Sequence, residues 1–221
     1  MEIIAHIYND FPTKFALPRQ SGIVKTLESR IVFTPKYRDE HALRGLEGFS
    51  HIWVIWEISG NKKGEWSPTV RPPRLGGNVR MGVFATRSPF RPNPIGLSCV
   101  RLERIEQTEE GSVLVVTGGD MMNGTPIYDI KPYIPYSDSI PEATEGFTAS
   151  GIDRLPVSIP DELLALVPED QRETLLGVLS LDPRPAYHDD PERVYGFSYG
   201  ELEIRFRVKD GSVEVTEIAP A

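Results

Sequence analysis

The densest chemistry in the chain lies in GVFATRSPFRPNPIGLS (82–98). Pro89, Pro92 and Pro94 push Ser88, Arg91 and Asn93 toward extended geometry and remove backbone donors. The loop is therefore stiff, and it holds Arg87, Arg91 and Asn93 on a preorganised backbone, as a ligand site needs. The same loop could instead be a rigid barrel corner whose arginines pair with acidic neighbours. A second stretch, NGTPIYDIKPYIPYSD (123–138), follows an Asn-Gly turn and places Asp129, Lys131 and Tyr133 at alternate positions. In an extended chain these share one face. A carboxylate, an amine and a phenol together could do acid–base work, or could simply be a surface pair on an edge strand. A third, KFALPRQSG (14–22), sets Arg19 and Gln20 between a proline and a glycine.

Other chemistries lack residues. There are four histidines and one cysteine, Cys99, at no metal-ligand spacing, so no metal is expected. His51 lies in an apolar run and reads more readily as a semi-buried histidine than as a catalyst. No G-x-S-x-G, P-loop or G-x-G-x-x-G is present.

The elements that must position these segments read as strands: EIIAHIY (2–8), SRIVFT (29–34), FSHIWVIWEI (49–58), MGVFAT (81–86), IGLSCVRLERIE (95–106) and SVLVVTG (112–118). FSHIWVIWEI is apolar on both faces, as a strand buried on both sides or closing a barrel would be. Helical stretches between the strands are missing, so a closed or nearly closed barrel is expected over a Rossmann sheet. The fold class is mainly β: a barrel-like unit over 1–140 and a small α+β unit over 141–221. In the latter, PDELLALVPEDQRETLLGVLS (160–180) reads as two short helices and ELEIRFRVKDGSVEVTEI (201–218) as a hairpin turning at Asp210-Gly211.

The 221 residues carry a net charge of −8, unevenly spread. Residues 1–140 hold 17 Lys+Arg against 15 Asp+Glu, a net of +2, and residues 141–221 hold 7 against 17, a net of −10. Arg71, Arg74, Arg80, Arg87, Arg91 and Arg101 fall in a stretch, 71–102, with no acidic residue. An anionic partner is therefore compatible with the acidic total. No apolar run approaches a membrane span and no secretory signal is visible, which points to a cytoplasmic protein.

PRLGGNVRMGVFATRSPFRPNPIGLS, with NGTPIYDIKPYIPYSDS downstream, resembles the TrmO (TsaA-like, YaeB) family of tRNA methyltransferases. FALPRQSGIVK, LRGLEGFSHIWVIW and DPRPAY (182–187) extend the resemblance over most of the chain. It implies a β-barrel that binds S-adenosylmethionine without a Rossmann framework, in a homodimer. The implied reaction methylates N6 of N6-threonylcarbamoyladenosine beside the anticodon of tRNA, at position 37. Pro18, Arg19 and Gln20 match the family's first cofactor segment. Arg87 and Leu97 match the central one, and Asn123, Gly124, Thr125 and Pro126 the last. Where relatives can carry a His-Gln pair, this chain has Ser59 and Gly60, leaving contact there to the backbone. For the chemistry, Asp129 is the first candidate base and Lys131 the second. Arg91 is the candidate for the substrate carboxylate, and Arg71, Arg74 and Arg80 for phosphates. Two alternatives stay open: a methyltransferase of another RNA or small-molecule acceptor, and a non-catalytic cofactor- or RNA-binding barrel.

Overall fold

Alternating apolar residues wrap the first part of the chain into a barrel. The computed structural model describes residues 1–58, 66–185, 188 and 190–221, with Arg74 by its backbone alone. The strands are β1 (Ala5–Tyr8), β2 (Glu28–Phe33), β3 (His51–Glu57), β4 (Thr69–Val70), β5 (Met81–Gly82), β6 (Ile95–Thr108), β7 (Gly111–Thr117) and β8 (Thr125–Pro132). Six of them close an antiparallel barrel in the order β1–β2–β7–β6–β3–β8. Its interior is filled by Ala5, Ile7, Ile31, Ile52, Val54, Val100, Leu114, Val116, Met121 and Ile127. On β3 the inward Ile52 and Val54 are fully buried, while His51, Trp53 and Ile55 face outward and are half-buried.

The expected strand MGVFAT is shorter. Met81–Gly82 pairs with Thr69–Val70, and Val83–Ala85 then turns as a 3-10 helix. Pairing stops there because the next residue of the partner strand is Pro68, which accepts from Val83 N–H at 3.0 Å but has no N–H to give back.

After a one-turn helix α1 (Pro135–Asp138) come β9 (Val157–Ser158), α2 (Asp161–Leu164), α3 (Glu169–Leu179), β10 (Tyr195–Tyr199), β11 (Leu202–Lys209) and β12 (Ser212–Pro220). The last three strands and β9 form a sheet in the order β10–β11–β12–β9. The β11–β12 turn has positive φ at both Asp210 (50°) and Gly211 (74°), the signature of a type I′ hairpin. β10 was not anticipated, although Tyr195, Phe197 and Tyr199 alternate with Gly196 and Ser198. Its rings pack with Phe206, and Phe15 from the β1–β2 connection joins them. Phe11, Ala16, Val24 and Leu27 from that same connection are also buried in this second core. No helix among the described residues is long and apolar enough to cross a membrane.

Strand direction decides which connections meet. In an antiparallel closed barrel neighbours alternate in direction, so β1, β7 and β3 run one way and β2, β6 and β8 the other. The connections β1–β2, β3–β6 and β7–β8 therefore lie at one rim. Those from β2 to β3 and from β6 to β7 lie at the opposite end.

Candidate functional site

That rim collects the segments singled out in the sequence. Pro18–Gln20 belongs to the β1–β2 connection, Arg87 and Arg91 to the β3–β6 connection, and Asn123–Pro126 to the turn into β8. Ser59 and Gly60, in the β3–β6 connection, lie outside the described residues.

The first segment is pinned by Gly22 N–H, which donates to the Gly118 carbonyl at 2.8 Å. The last is pinned to the end of β1. Asn123 N–H donates to the Phe11 carbonyl (2.8 Å), Gly124 N–H to the Ile7 carbonyl (2.7 Å), and Asn9 N–H to Asn123 Oδ1 (3.1 Å). Gly124 has φ +77°, a left-handed conformation that a side chain would strain. Thr125 is buried at the first β8 position, opposite Ile7.

Between these segments lies a polar chain. Trp56 Nε1–H donates to Ser98 Oγ at 2.9 Å, and Ser98 O–H donates to Asp120 Oδ1 at 2.5 Å. The indole covers Gly96: a Cβ there would sit 2.1 Å from Trp56 Cε2. The Asp120 carboxylate also accepts a backbone hydrogen bond from Ser21, and the Arg87 guanidinium acts on it electrostatically. Burial nevertheless dominates and holds the Asp120 carboxyl above the ordinary carboxylate range. Arg87 Nη1 in turn donates to Gln20 Oε1. The first and central segments thus touch through Arg87–Gln20 and through Asp120.

Arg91 is used within its own loop. Its Nη1 donates to the carbonyls of Val83 (3.1 Å) and Thr86 (2.7 Å), and its guanidinium lies 5.5 Å from the Phe84 ring centre. These contacts give Arg91 a bracing role within its own loop. Arg19 Nη2 reaches the Arg184 carbonyl at 3.5 Å, so part of the DPRPAY segment stands beside the first rim segment. Arg184 is itself clamped by Asp182. Ala186 and Tyr187 of that segment lie outside the described residues.

Asp129 and Lys131 pair with each other at 2.9 Å on the outer barrel wall, both well exposed. Asp129 sits opposite Ile55, and Ile55 opposite Leu97, so Asp129, Ile55 and Leu97 form one row across β8, β3 and β6. Lys131, Trp53 and Cys99 form the next row, and Tyr133 packs on Trp53 and His51. The structure therefore separates two groups: Gln20, Arg87 and Asn123 at the rim, and Leu97, Asp129 and Lys131 on the wall. A bulge between the two leaves Tyr128 out of the register. Its hydroxyl donates to Glu57 Oε2 at 2.7 Å, and burial with this bond pushes the phenol up to about 12.

Trp56, Ser98 and Asp120 were not singled out in the sequence. An acid directly after Gly118-Gly119 was the available sign for Asp120. Ser98 and Trp56 looked like ordinary strand residues. Among the described residues, no group of three or more His, Cys, Asp or Glu gathers to hold a metal.

The matching family models are the tRNA-methyltransferase O N-terminal domain over residues 6–139 and the TrmO C-terminal domain over 153–221. An Escherichia coli K12 protein named tRNA (adenine(37)-N6)-methyltransferase is 41% identical over 228 residues, covering 99% of this chain and 97% of its own. A Pseudomonas aeruginosa protein with S-adenosylmethionine-dependent methyltransferase in its name is 36% identical over 211 residues, 92% of this chain and 90% of its own. A crystal structure of TrmO from Pseudomonas aeruginosa superposes with a TM-score of 0.80 at 30% identity, covering 99% of this chain and 95% of that one.

Proposed function

From the chain's membership in the tRNA-methyltransferase O family, we propose that it transfers a methyl group from S-adenosylmethionine to N6 of adenine 37 in tRNA. The observation that carries this reading is topological: three separate connections meet at one barrel rim and are joined there through Arg87, Gln20 and Asp120. The residues fit the methyl donor. Its carboxylate needs a cation, its adenine and ribose need amides and backbone groups, and its sulfonium arm needs apolar cover. Arg87 and Arg19, Gln20 and Asn123, and Pro18 and Pro126 are of those kinds, and Leu97 on the adjoining wall offers further apolar surface. Gly124 and Thr125 place backbone close by.

Bound there, S-adenosylmethionine supplies an electrophilic methyl carbon. The chain's own residues must align an acceptor nitrogen with it, and alignment of that kind can supply roughly 7–11 kcal/mol of a barrier. The acceptor in this reading is N6-threonylcarbamoyladenosine, whose urea-like nitrogen has a delocalised lone pair. A base taking its proton during attack contributes something like 10²–10⁴-fold. Asp129 has that role in this reading, with Lys131 paired to it at 2.9 Å. Arg91 keeps the loop in shape, and Arg71, Arg74 and Arg80 meet phosphates.

The chain acts as a homodimer in this reading. Support comes from the outer wall, where exposed Ile95 and Leu97 adjoin half-buried Ile55, Trp53 and Tyr133 in an apolar strip that a second copy would cover. The division near residue 140 and work in the cytoplasm, where tRNA resides, belong to the same proposal.

The test is direct. Protein, methyl-labelled S-adenosylmethionine and tRNA carrying threonylcarbamoyladenosine are incubated, and the tRNA is digested to nucleosides for mass spectrometry. One added methyl on the threonylcarbamoyladenosine nucleoside is expected. Label on another nucleoside would move the acceptor, and binding without transfer would leave a non-catalytic barrel.

A further inference from the structure

Open aromatic rings gather on one connection. Among the described residues the exposed Phe and Trp side chains are Phe49, Trp66, Phe84 and Phe90, and the last three belong to the β3–β6 connection. Single exposed apolar residues are ordinary, but three rings in one connection make a patch that calls for a partner. The backbone holds them side by side. Ser67 N–H donates to the Phe90 carbonyl at 3.3 Å, and Val83 N–H to the Pro68 carbonyl at 3.0 Å, so the neighbours Trp66 and Phe84 stand on the same folded loop as Phe90. Phe84 is 74% exposed, and the Arg91 guanidinium lies over its ring at 5.5 Å. Arg91 is itself fixed by the Val83 and Thr86 carbonyls, so the ring is backed by a braced cation and otherwise open to solvent.

The charge around these rings is uncompensated. Arg71, Arg80 and Arg87, on the same connection, are exposed. Arg80 donates to Thr69 Oγ1 and Arg87 to Gln20 Oε1, both neutral acceptors. Among the described residues none of these arginines, nor Arg91, enters an ion pair, whereas Arg101 and Arg104 on β6 pair with glutamates. An occupant must therefore offer flat apolar faces and negative charge together. Unpaired RNA bases on their phosphate backbone do so, because every base has a stacking face and a single strand leaves it free. A duplex hides those faces. A two-fold contact between copies of this chain would bring the same arginines against one another.

We propose that Phe84, with Phe90 and Trp66 beside it, is a stacking platform for the unpaired tRNA bases that flank adenine 37. This rests on the reading that tRNA is the substrate. Phe84 stands three residues before Arg87, within about 11 Å along the chain, so bases held there stay next to the working rim.

The experiment measures binding of fluorescently labelled tRNA carrying threonylcarbamoyladenosine to the full chain, by anisotropy, across a range of salt. Phe84→Ala is expected to bind about tenfold more weakly, Phe84→Leu nearly as weakly, and Phe84→Tyr within about twofold of the wild type. The salt slope should stay at the wild-type value, since no phosphate contact is lost, and S-adenosylmethionine affinity should not change. A fully paired RNA of equal length should bind wild type and Phe84→Ala alike. No tRNA binding by the wild type would overturn the substrate reading, and this proposal with it. Unchanged tRNA affinity in Phe84→Ala, equal affinity of the Leu and Tyr variants, or an equal loss on the duplex would overturn this proposal alone. So would a fall in mass of Phe84→Ala by light scattering, which would assign the rings to a contact between copies. Should Phe84→Ala not fold, the Leu–Tyr comparison and Phe90→Ala, expected to weaken tRNA binding with the same unchanged salt slope, decide the matter.

Discussion

Arg87 and Gly96 carry the sharpest residue-scale expectations. Arg87→Ala removes the guanidinium that donates to Gln20, and donor binding should weaken at least about tenfold, or about 1.4 kcal/mol, by calorimetry. Gly96→Ala would force a methyl group into the Trp56 indole, which cannot retreat without losing its hydrogen bond to Ser98. Overpacking of this kind costs about 1–3 kcal/mol, so denaturant melts should show a loss in that range together with weaker donor binding. Arg87 was legible because a proline-rich loop advertises a fixed backbone. Asp120 was not: its hydrogen-bond partner is Ser98, 22 residues earlier on another strand. No local pattern encodes a contact of that range. Asp129 and Lys131 were read correctly as sharing a face, but which way the face pointed depended on the register with β3.

At the scale of elements, strands with strict alternation were readable from residue types, and the barrel followed from the absence of helices between them. MGVFAT failed because a two-residue strand has too little pattern to tell from a turn. The β1–β2 connection was singled out in the sequence as a candidate binding segment, and nothing there marked it as a core element. Phe11, Ala16, Val24 and Leu27 bury themselves under the second sheet, whose first strand begins at Val157, far along the sequence. A fragment ending at residue 140 should therefore expose these side chains and lose cooperative thermal unfolding, whereas independent folding of that fragment would contradict the shared core. The same junction carries Asp10, which accepts from Gln171 at 3.2 Å. Burial, with Asp170 and Glu28 nearby, raises its carboxyl above the ordinary range. A raised carboxyl binds its proton more tightly in the folded state. Its charge thus costs nothing below pH 3.8, and the cost grows as pH rises from there through the folded value. Asp10→Asn should melt higher than the wild type at pH 7, with the difference vanishing near pH 3.

For the molecule as a whole, charge asymmetry and the barrel's polarity meet. Phosphates respond to charges within about 8 Å at physiological salt, so the basic stretch can bind RNA although the tail is acidic. Neutralising Arg71, Arg74 and Arg80 to Gln should lower tRNA affinity and flatten its salt dependence by close to one unit of slope per lost contact, with donor affinity unchanged. Light scattering should give the mass of a dimer at micromolar concentration. Unchanged slopes, or a monomer, would count against these readings. The even strand number has a practical consequence as well. The candidate binding segments occupy one rim, and the β6–β7 hairpin tip, Glu109-Glu110, projects from the far end, a 14-residue strand or roughly 40 Å away. That tip is a ready handle: a fluorophore, an affinity tag or a surface tether inserted there would leave the working rim facing free solution, so immobilised protein should keep its turnover.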